Sequence, residues 1–327
     1  MKMSIVGLGN VGRALAYALV LRGLPRELVL VGTDDDKLAG EALDLQHAAT
    51  LVRPMHVRAG GGGGGGGGGA DGTEGSDLVF LTASRPADPD TAADRMALAE
   101  PNARLFGELV PPLAAASPGA VFVVLSNPLD VMTYVTFKAA GLPDEARGRV
   151  LGTGTLLDTA RFRAGLAGAL AADPLDVHAY VLGEHGDTQF PALLPPSPAT
   201  LGGTPIVPTL IAEVDVRARF EETRRAGGTV AGLKGHTNFG VATAAVHVAE
   251  AIVGDRRAVL PVSSVLELPE HGLSDVALSL PCLVGAGGVQ RVLPPALADD
   301  EARKLHDSAA FVRSAIAGLD RSVYVQT

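Results

Sequence analysis

The chain has a single cysteine, Cys282, among 327 residues, which excludes an intramolecular disulfide framework and points to a reducing compartment. Positive charge is also scarce. Lysine and arginine number 27 against 36 acidic residues, and the net charge of −9 repels phosphate backbones, so nucleic acid is not an expected partner. No uninterrupted apolar run approaches the ~20 residues needed to span a bilayer. Residues 1–8, MKMSIVGL, contain no long apolar stretch before a cleavage site and lead straight into a glycine motif. The mature fold is therefore expected to begin at once, in the cytoplasm. What is present is globular in character: 47% hydrophobic residues with 19% charged. The length suits two domains at roughly 100–200 residues each.

Strand and helix signals alternate from the start. Met3–Val6, Leu28–Val31, Leu78–Thr82 and Val121–Leu125 are short continuous apolar strands, and helical patterns cover Arg13–Leu21 and Asn102–Ala115. Continuous apolar strands separated by helices predict an α/β fold with a parallel sheet covered on both faces. Near the C-terminus, Leu305, Phe311, Val312, Ile316 and Leu319 are expected to form one buried helical stripe. A domain boundary is placed near residue 150, giving units 1–150 and 151–327. The unbroken run Gly60–Gly69 is expected to be a surface insertion, because phosphate cradles use glycine at chosen positions.

Gly7, Gly9 and Gly12 form G-x-G-x-x-G between the first strand and first helix. Such spacing allows a tight turn, a close backbone approach to a pyrophosphate, and close helix–strand packing, with the helix N-terminus facing the anion. This predicts a dinucleotide site. An acid for the adenosine ribose is expected about 20 residues on. The second strand instead ends on Gly32, followed by Thr33 and then Asp34, Asp35 and Asp36. Carboxylates without an arginine repel a 2′-phosphate, which favours NAD over NADP. The same aspartates also suit a solvated helix start.

Seven segments carry a family resemblance over nearly the whole chain: GLGNVG at 7–12, GEALDLQHA at 40–48, SNPLDV at 126–131, GTGTLLDTARFR at 152–163, VHAYVLGEHGDT at 177–188, KGHTNF at 234–239 and SLPCLVGAGGV at 279–289. In them the chain resembles the L-lactate/malate dehydrogenase family, including its 2-hydroxyisocaproate branch. The resemblance implies a doubly wound parallel sheet (Rossmann) domain followed by a mixed α/β substrate domain. It implies NAD as cofactor, lying against Gly7, Gly9, Asn10, Val11, Gly12, Thr33, Asp34, Lys37, Ser84, Ser126 and Thr153, and no metal.

Reducing a 2-keto acid needs a hydride donor, an acid for the new alkoxide and a cation for the carboxylate. His185 suits the acid role because imidazole titrates near physiological pH. Asp158 would bond its other ring nitrogen, fixing the tautomer and favouring imidazolium. Arg161, three residues on, shares a helix face with Asp158 and has the planar fork that matches a carboxylate. The resemblance assigns these three the same duties. It further implies that Asn127 bonds the reacting oxygen and that Arg95, seven residues before Asn102, polarises the carbonyl from a closing loop.

Specificity is less legible. The loop Ser84–Asp94 is longer than the family's common form. Ala87 stands after Pro86, where lactate enzymes of the family carry glutamine and malate enzymes arginine. Without a cation there, a second substrate carboxylate would enter unpaired, although Arg85 is near. Thr237 matches a residue at the side-chain end of the family's pocket. Lactate is the expected substrate, with 2-hydroxyisocaproate and malate as alternatives. Arg163 and His178 match two positions that bind fructose 1,6-bisphosphate at a subunit interface in regulated bacterial lactate dehydrogenases. A homodimer or homotetramer is implied as well.

Two other classes fit the residues less well. An NAD-dependent glycosidase needs a metal held by cysteine and histidine, and Cys282 lies far from the SNP segment. A non-catalytic dinucleotide-binding protein gains from Gly32 and the altered loop, but His185, Asp158, Arg161, Arg95 and Asn127 together argue against it.

Overall fold

A computed structural model describes residues 1–61, 70, 72–86, 95–196, 199–207, 209–210 and 215–325, without the Arg95 side chain. The loop position Ala87 and residues 62–69 of the glycine run lie outside the described residues.

The first half alternates as its apolar runs predict: β1 (Lys2–Val6), α1 (Asn10–Arg22), β2 (Glu27–Val31), α2 (Asp35–Ala49), β3 (His56–Ala59), β4 (Leu78–Leu81), α3 (Ala99–Ala116), β5 (Val121–Val124), α4 (Leu129–Ala139) and β6 (Val150–Gly152). These strands pair in parallel in the order β3-β2-β1-β4-β5-β6. The order reverses beside β1, and the glycine turn at 7–12 sits at that switch point, where open α/β sheets bind ligands.

The second half comprises α5 (Leu156–Ala169), β7 (Val177–His178), β8 (Tyr180–Leu182), β9 (Phe190–Ala192), β10 (Thr200–Leu201), β11 (Thr204–Pro205), α6 (Val216–Lys234), α7 (Phe239–Val253), β12 (Ala258–Leu268), β13 (Leu273–Gly285), β14 (Gly288–Val292) and α8 (Asp299–Ala317). The β12–β13–β14 meander extends the parallel sheet, with Ser263 and Ser264 of β12 paired antiparallel to Gly152 and Leu151.

Alternation along the buried strands explains why they read as continuous apolar runs. Val121 and Val123 face a core with Leu15, Leu19 and Val248, whereas Phe122 and Val124 face one with Phe106, Met132 and Val312. One sheet face is thus packed by α1, α2 and α7 and the other by α3, α4 and α8. A third core, around Phe162, Leu166, Val177, Val181 and Ile206, holds α5 against β7 and β8.

The expected C-terminal stripe needs one correction. Leu305, Val312, Ile316 and Leu319 are buried, but Phe311 is 38% exposed. Neighbouring residues on a helix diverge by about 100°, so 311 and 312 cannot share a face. Phe311 instead borders a cavity that His185 also lines.

Candidate active site

The glycine turn separates two uses of glycine. Gly7 has φ +101, and a Cβ there would lie 2.4 Å from the Ala83 nitrogen, while one on Gly12 would lie 2.2 Å from the Gly7 carbonyl oxygen. Packing within the chain demands both. A Cβ on Gly9 would meet nothing within 4 Å. Gly9 is also the N-cap of α1 and gives no side-chain cap. Free space over an uncapped helix N-terminus is what an approaching pyrophosphate requires, so the turn fits the expected dinucleotide.

After β2, Asp34 caps α2 by accepting from the Lys37 amide at 3.1 Å, and Asp35 and Asp36 occupy the first helical turn. Thr33 through Lys37 are exposed. Ser126 is buried and donates to the Ala83 carbonyl at 2.5 Å, and Ser84 bonds the side chain of Asn102. Asn10 accepts from Arg13, and Val11 is half-buried in the α1 start.

The second group of residues assembles where α5 meets β8. The Thr155 hydroxyl donates to the Val181 carbonyl (2.5 Å), and Thr159 accepts from the Val181 amide (3.0 Å). These bonds lock the first turn of α5 beside the chain that runs on to His185. Gly183, at φ +91, pairs with Ser279 of β13 through bonds of 3.0 and 2.9 Å. A Cβ at Gly183 would press on Ser308 of α8 at 2.8 Å. The next amide, of Glu184, donates to the Ser308 hydroxyl at 2.7 Å.

The turn so held presents the His185 Nδ1 to Asp158 Oδ2 at 2.6 Å, and Arg161 donates to Asp158 Oδ1 at 3.3 Å. Asp158 is 2% exposed. His185 and Arg161 line one cavity together with Asn127, Thr153 and Thr237, and Leu125, Leu129, Leu157, Val241 and Ala244 give it apolar walls. The Asn127 carbonyl accepts from Asn102 at 2.7 Å, while its side-chain Oδ1 is buried without a hydrogen-bond partner. That amide is held by its main chain and retains polar capacity for a ligand.

The remaining expected residues are placed elsewhere. The main chain of Arg95 opens a 3₁₀ turn, Arg95–Leu98, ahead of α3. Arg85 pairs with Glu108 of α3 at 3.7 Å. Arg163 donates through Nε to the Ala179 carbonyl at 2.8 Å and stacks over the Tyr180 ring, and His178 is exposed on β7.

Several participants had no expected role. Asn102, fully buried, ties Ser84, the Arg85 amide and Asn127 together. Asp130 accepts from the His185 amide at 2.7 Å and from Ser263 at 2.6 Å. A signal for Asp130 was available: a carboxylate inside the apolar stretch Leu129–Met132 is costly unless something pairs it. Ser263, Ser279 and Ser308 carry no such local mark.

Comparison with known proteins identifies the family. Residues 1–152 match the family model for the lactate/malate dehydrogenase NAD binding domain, and residues 155–320 match that for the lactate/malate dehydrogenase α/β C-terminal domain. The chain is 40% identical to an L-lactate dehydrogenase of Synechococcus sp. (strain JA-3-3Ab), covering 97% of this chain and 98% of that one. It is likewise 40% identical to an L-lactate dehydrogenase of Thermus aquaticus, over 98% of this chain and 99% of the relative. A third, from Kosmotoga olearia, is 38% identical over 98% of this chain and 96% of its own length.

Proposed function

The chain belongs to the lactate/malate dehydrogenase family of NAD-dependent 2-hydroxy-acid dehydrogenases, and on that premise we propose that it interconverts pyruvate and L-lactate, with His185 as the proton donor and acceptor. One observation carries the reading. A single buried carboxylate, Asp158, engages both His185 and Arg161 at the edge of a cavity that also contains Asn127 and Thr237.

In pyruvate reduction, Arg161 takes the substrate carboxylate through its guanidinium fork. Asp158 accepts at Nδ1 of His185, which leaves the other ring nitrogen to carry the proton for the substrate oxygen. The Asn127 amide, turned to present its Nδ2, donates to the same oxygen and stabilises charge developing there. The reduced nicotinamide, when bound, supplies the hydride. Gly7, Gly9, Asn10, Val11 and Gly12 would hold the pyrophosphate of the dinucleotide, Thr33, Asp34 and Lys37 would meet its ribose, and Ser84, Ser126 and Thr153 would contact the remainder. Arg95 would polarise the carbonyl, and Ala87 would border the substrate's side chain. Lactate dehydrogenation is the reverse, with neutral His185 taking the proton.

The apolar walls around Thr237 favour a methyl over a charged substituent, and Arg85 is drawn to Glu108. Loss of NADH absorbance with pyruvate, oxaloacetate and 2-ketoisocaproate tests this reading. Preference for pyruvate supports it, whereas preference for either competitor replaces the substrate, and inertness toward all three while NADH still binds removes the catalytic assignment.

Three finer readings accompany it. Exposed Tyr17 and Leu21 on α1, Leu43 on α2 and Phe239 on α7 share the helices over one sheet face, which supports a homodimer or homotetramer, measurable by light scattering. Arg163 and His178 stand as a candidate anion pair for fructose 1,6-bisphosphate across a subunit axis. A lower apparent KM for pyruvate with the bisphosphate supports that role, and no change sinks it. A cytoplasmic setting suits Cys282, whose thiol is buried and pushed up to about 12 by desolvation. Among the described residues no helix is long and apolar enough to cross a membrane.

A further inference from the structure

Asp130 stands in the first turn of α4, three residues after Asn127, and is 2% exposed. Its two carboxylate oxygens are both used: Oδ2 accepts the His185 main-chain N–H at 2.7 Å and Oδ1 accepts the Ser263 hydroxyl at 2.6 Å. Burial pushes this carboxyl up to about 7. The hydrogen bonds from Ser263 and the His185 amide hold it down, and the nearby charge of Glu184 adds to the rise. A carboxylate kept dry for one serine and one peptide N–H is a poor stabilising device, because an apolar side chain of the same shape would avoid the desolvation.

Its placement suggests a different use. The segment 127–130 carries both the Asn127 amide, exposed to the cavity, and the carboxylate that holds the main chain of His185. The two groups assigned to the reacting oxygen come from different segments, the link between β5 and α4 for Asn127 and the turn after β8 for His185. The Asp130 bond is a direct link between them. Gly183 and Glu184 are fastened in parallel to Ser279 and Ser308, so the turn is held at three successive residues from β13, α8 and α4.

We infer that Asp130 is a positioning residue for the reaction, fixing the His185 main chain so that its imidazole and the Asn127 amide converge on one substrate oxygen. The inference rests on the reading of His185 as proton donor. What it requires of Asp130 is an acceptor at this point, not a charge. Asn keeps the acceptor toward His185 and donates to Ser263 through its amide, whereas Leu keeps the shape and removes the acceptor.

The experiment compares Asp130→Asn, Asp130→Leu and His185→Gln in the full-length enzyme. D130N is expected to keep kcat/KM for pyruvate within about threefold of the unaltered enzyme. D130L is expected to lose about 10- to 100-fold, with KM for pyruvate raised, as for one lost hydrogen bond that leaves a buried donor unpaired. NADH affinity should stay within about twofold in both. A merely structural role would lower the melting temperature and the active fraction while leaving KM for pyruvate where it was, and that result overturns the inference. So does D130N as impaired as D130L, which would make the charge the requirement. If D130L does not fold, amide exchange in the unaltered enzyme decides: slow exchange at His185 supports the bond, and exchange as fast as at exposed turn residues overturns it. H185Q separates this from the parent reading. Turnover by H185Q sinks the catalytic assignment itself, whatever the Asp130 variants do.

Discussion

Asp158→Asn is the sharpest test of the catalytic arrangement. Asparagine matches aspartate in shape, so the buried site should repack with little cost and the change is almost purely electrostatic. Asp158 accepts from His185 Nδ1 at 2.6 Å and from Arg161 Nη1 at 3.3 Å. An amide has one oxygen. Whichever donor it keeps, its NH₂ faces the other, or forces His185 into the opposite tautomer. Losing a charge-assisted hydrogen bond costs about 1.5–3 kcal/mol, and the stranded buried donor adds about 1–3 kcal/mol. At about 1.4 kcal/mol per decade, kcat/KM for pyruvate should fall by about 10²–10⁴-fold. NADH affinity should hold within about twofold, because the glycine turn lies on β1 and α1, away from α5. An imidazolium without a neighbouring carboxylate also gives up its proton more readily, so pyruvate reduction by the variant should fade at a lower pH than that of the parent enzyme. Steady-state assays across pH, with NADH titration by fluorescence, measure all three quantities. A folded D158N enzyme within tenfold of the parent would refute the claim that this carboxylate orients the acid.

Gly9→Ala and Gly12→Ala should diverge. G9A meets no atom within 4 Å and should leave the melting temperature unchanged while weakening NADH at least about tenfold, whereas G12A meets the Gly7 oxygen at 2.2 Å and should lose both affinity and about 1–3 kcal/mol of stability. Equal NADH binding by G9A and the parent would place the pyrophosphate elsewhere. Arg161→Lys keeps the cation but loses the fork, so KM for pyruvate should rise about 10- to 100-fold with NADH affinity retained, and an unchanged KM would remove Arg161 from carboxylate binding. Asp130 should impose a pH slope on stability. Its folded-state value, about 7 against an ordinary 3.8, means that the native protein holds a proton the unfolded chain has released, so stability falls as pH rises through that window, by up to about 4 kcal/mol. Urea unfolding at pH 5 and pH 8, which spans the upper part of that window, should show about 2–3 kcal/mol of this loss in the parent and a flatter profile in D130N. Equal slopes would mean that Asp130 is ionised throughout.

The parallel half of the sheet was legible because burial on both faces leaves a local mark. Runs such as LVLV at 28–31 and VFVV at 121–124 have no polar side, and only a strand covered twice can use them. The glycine spacing was legible for a similar reason, since tight turns and helix starts are decided within a few residues. Asp158 and Arg161 were readable as a pair because three residues on a helix bring side chains together. The stripe that wrongly included Phe311 shows the limit of the same reasoning, as apolar character alone does not say which side of a helix is covered.

What the chain's order could not disclose is which distant groups meet. The apolar stretch around Asp130 marks it locally as a carboxylate that needs a partner, but does not say which partner. Only the packed structure brings to it the His185 amide from the turn after β8 and the Ser263 hydroxyl from β12. The addition of β12 beside β6, the anchoring of Glu184 by Ser308, and the drawing of Arg85 toward Glu108 are of the same kind. Residue spacing determines what lies on one turn or one strand face. Contacts between elements depend on how the cores close, and there the tertiary structure alone decided which polar groups surround the catalytic histidine.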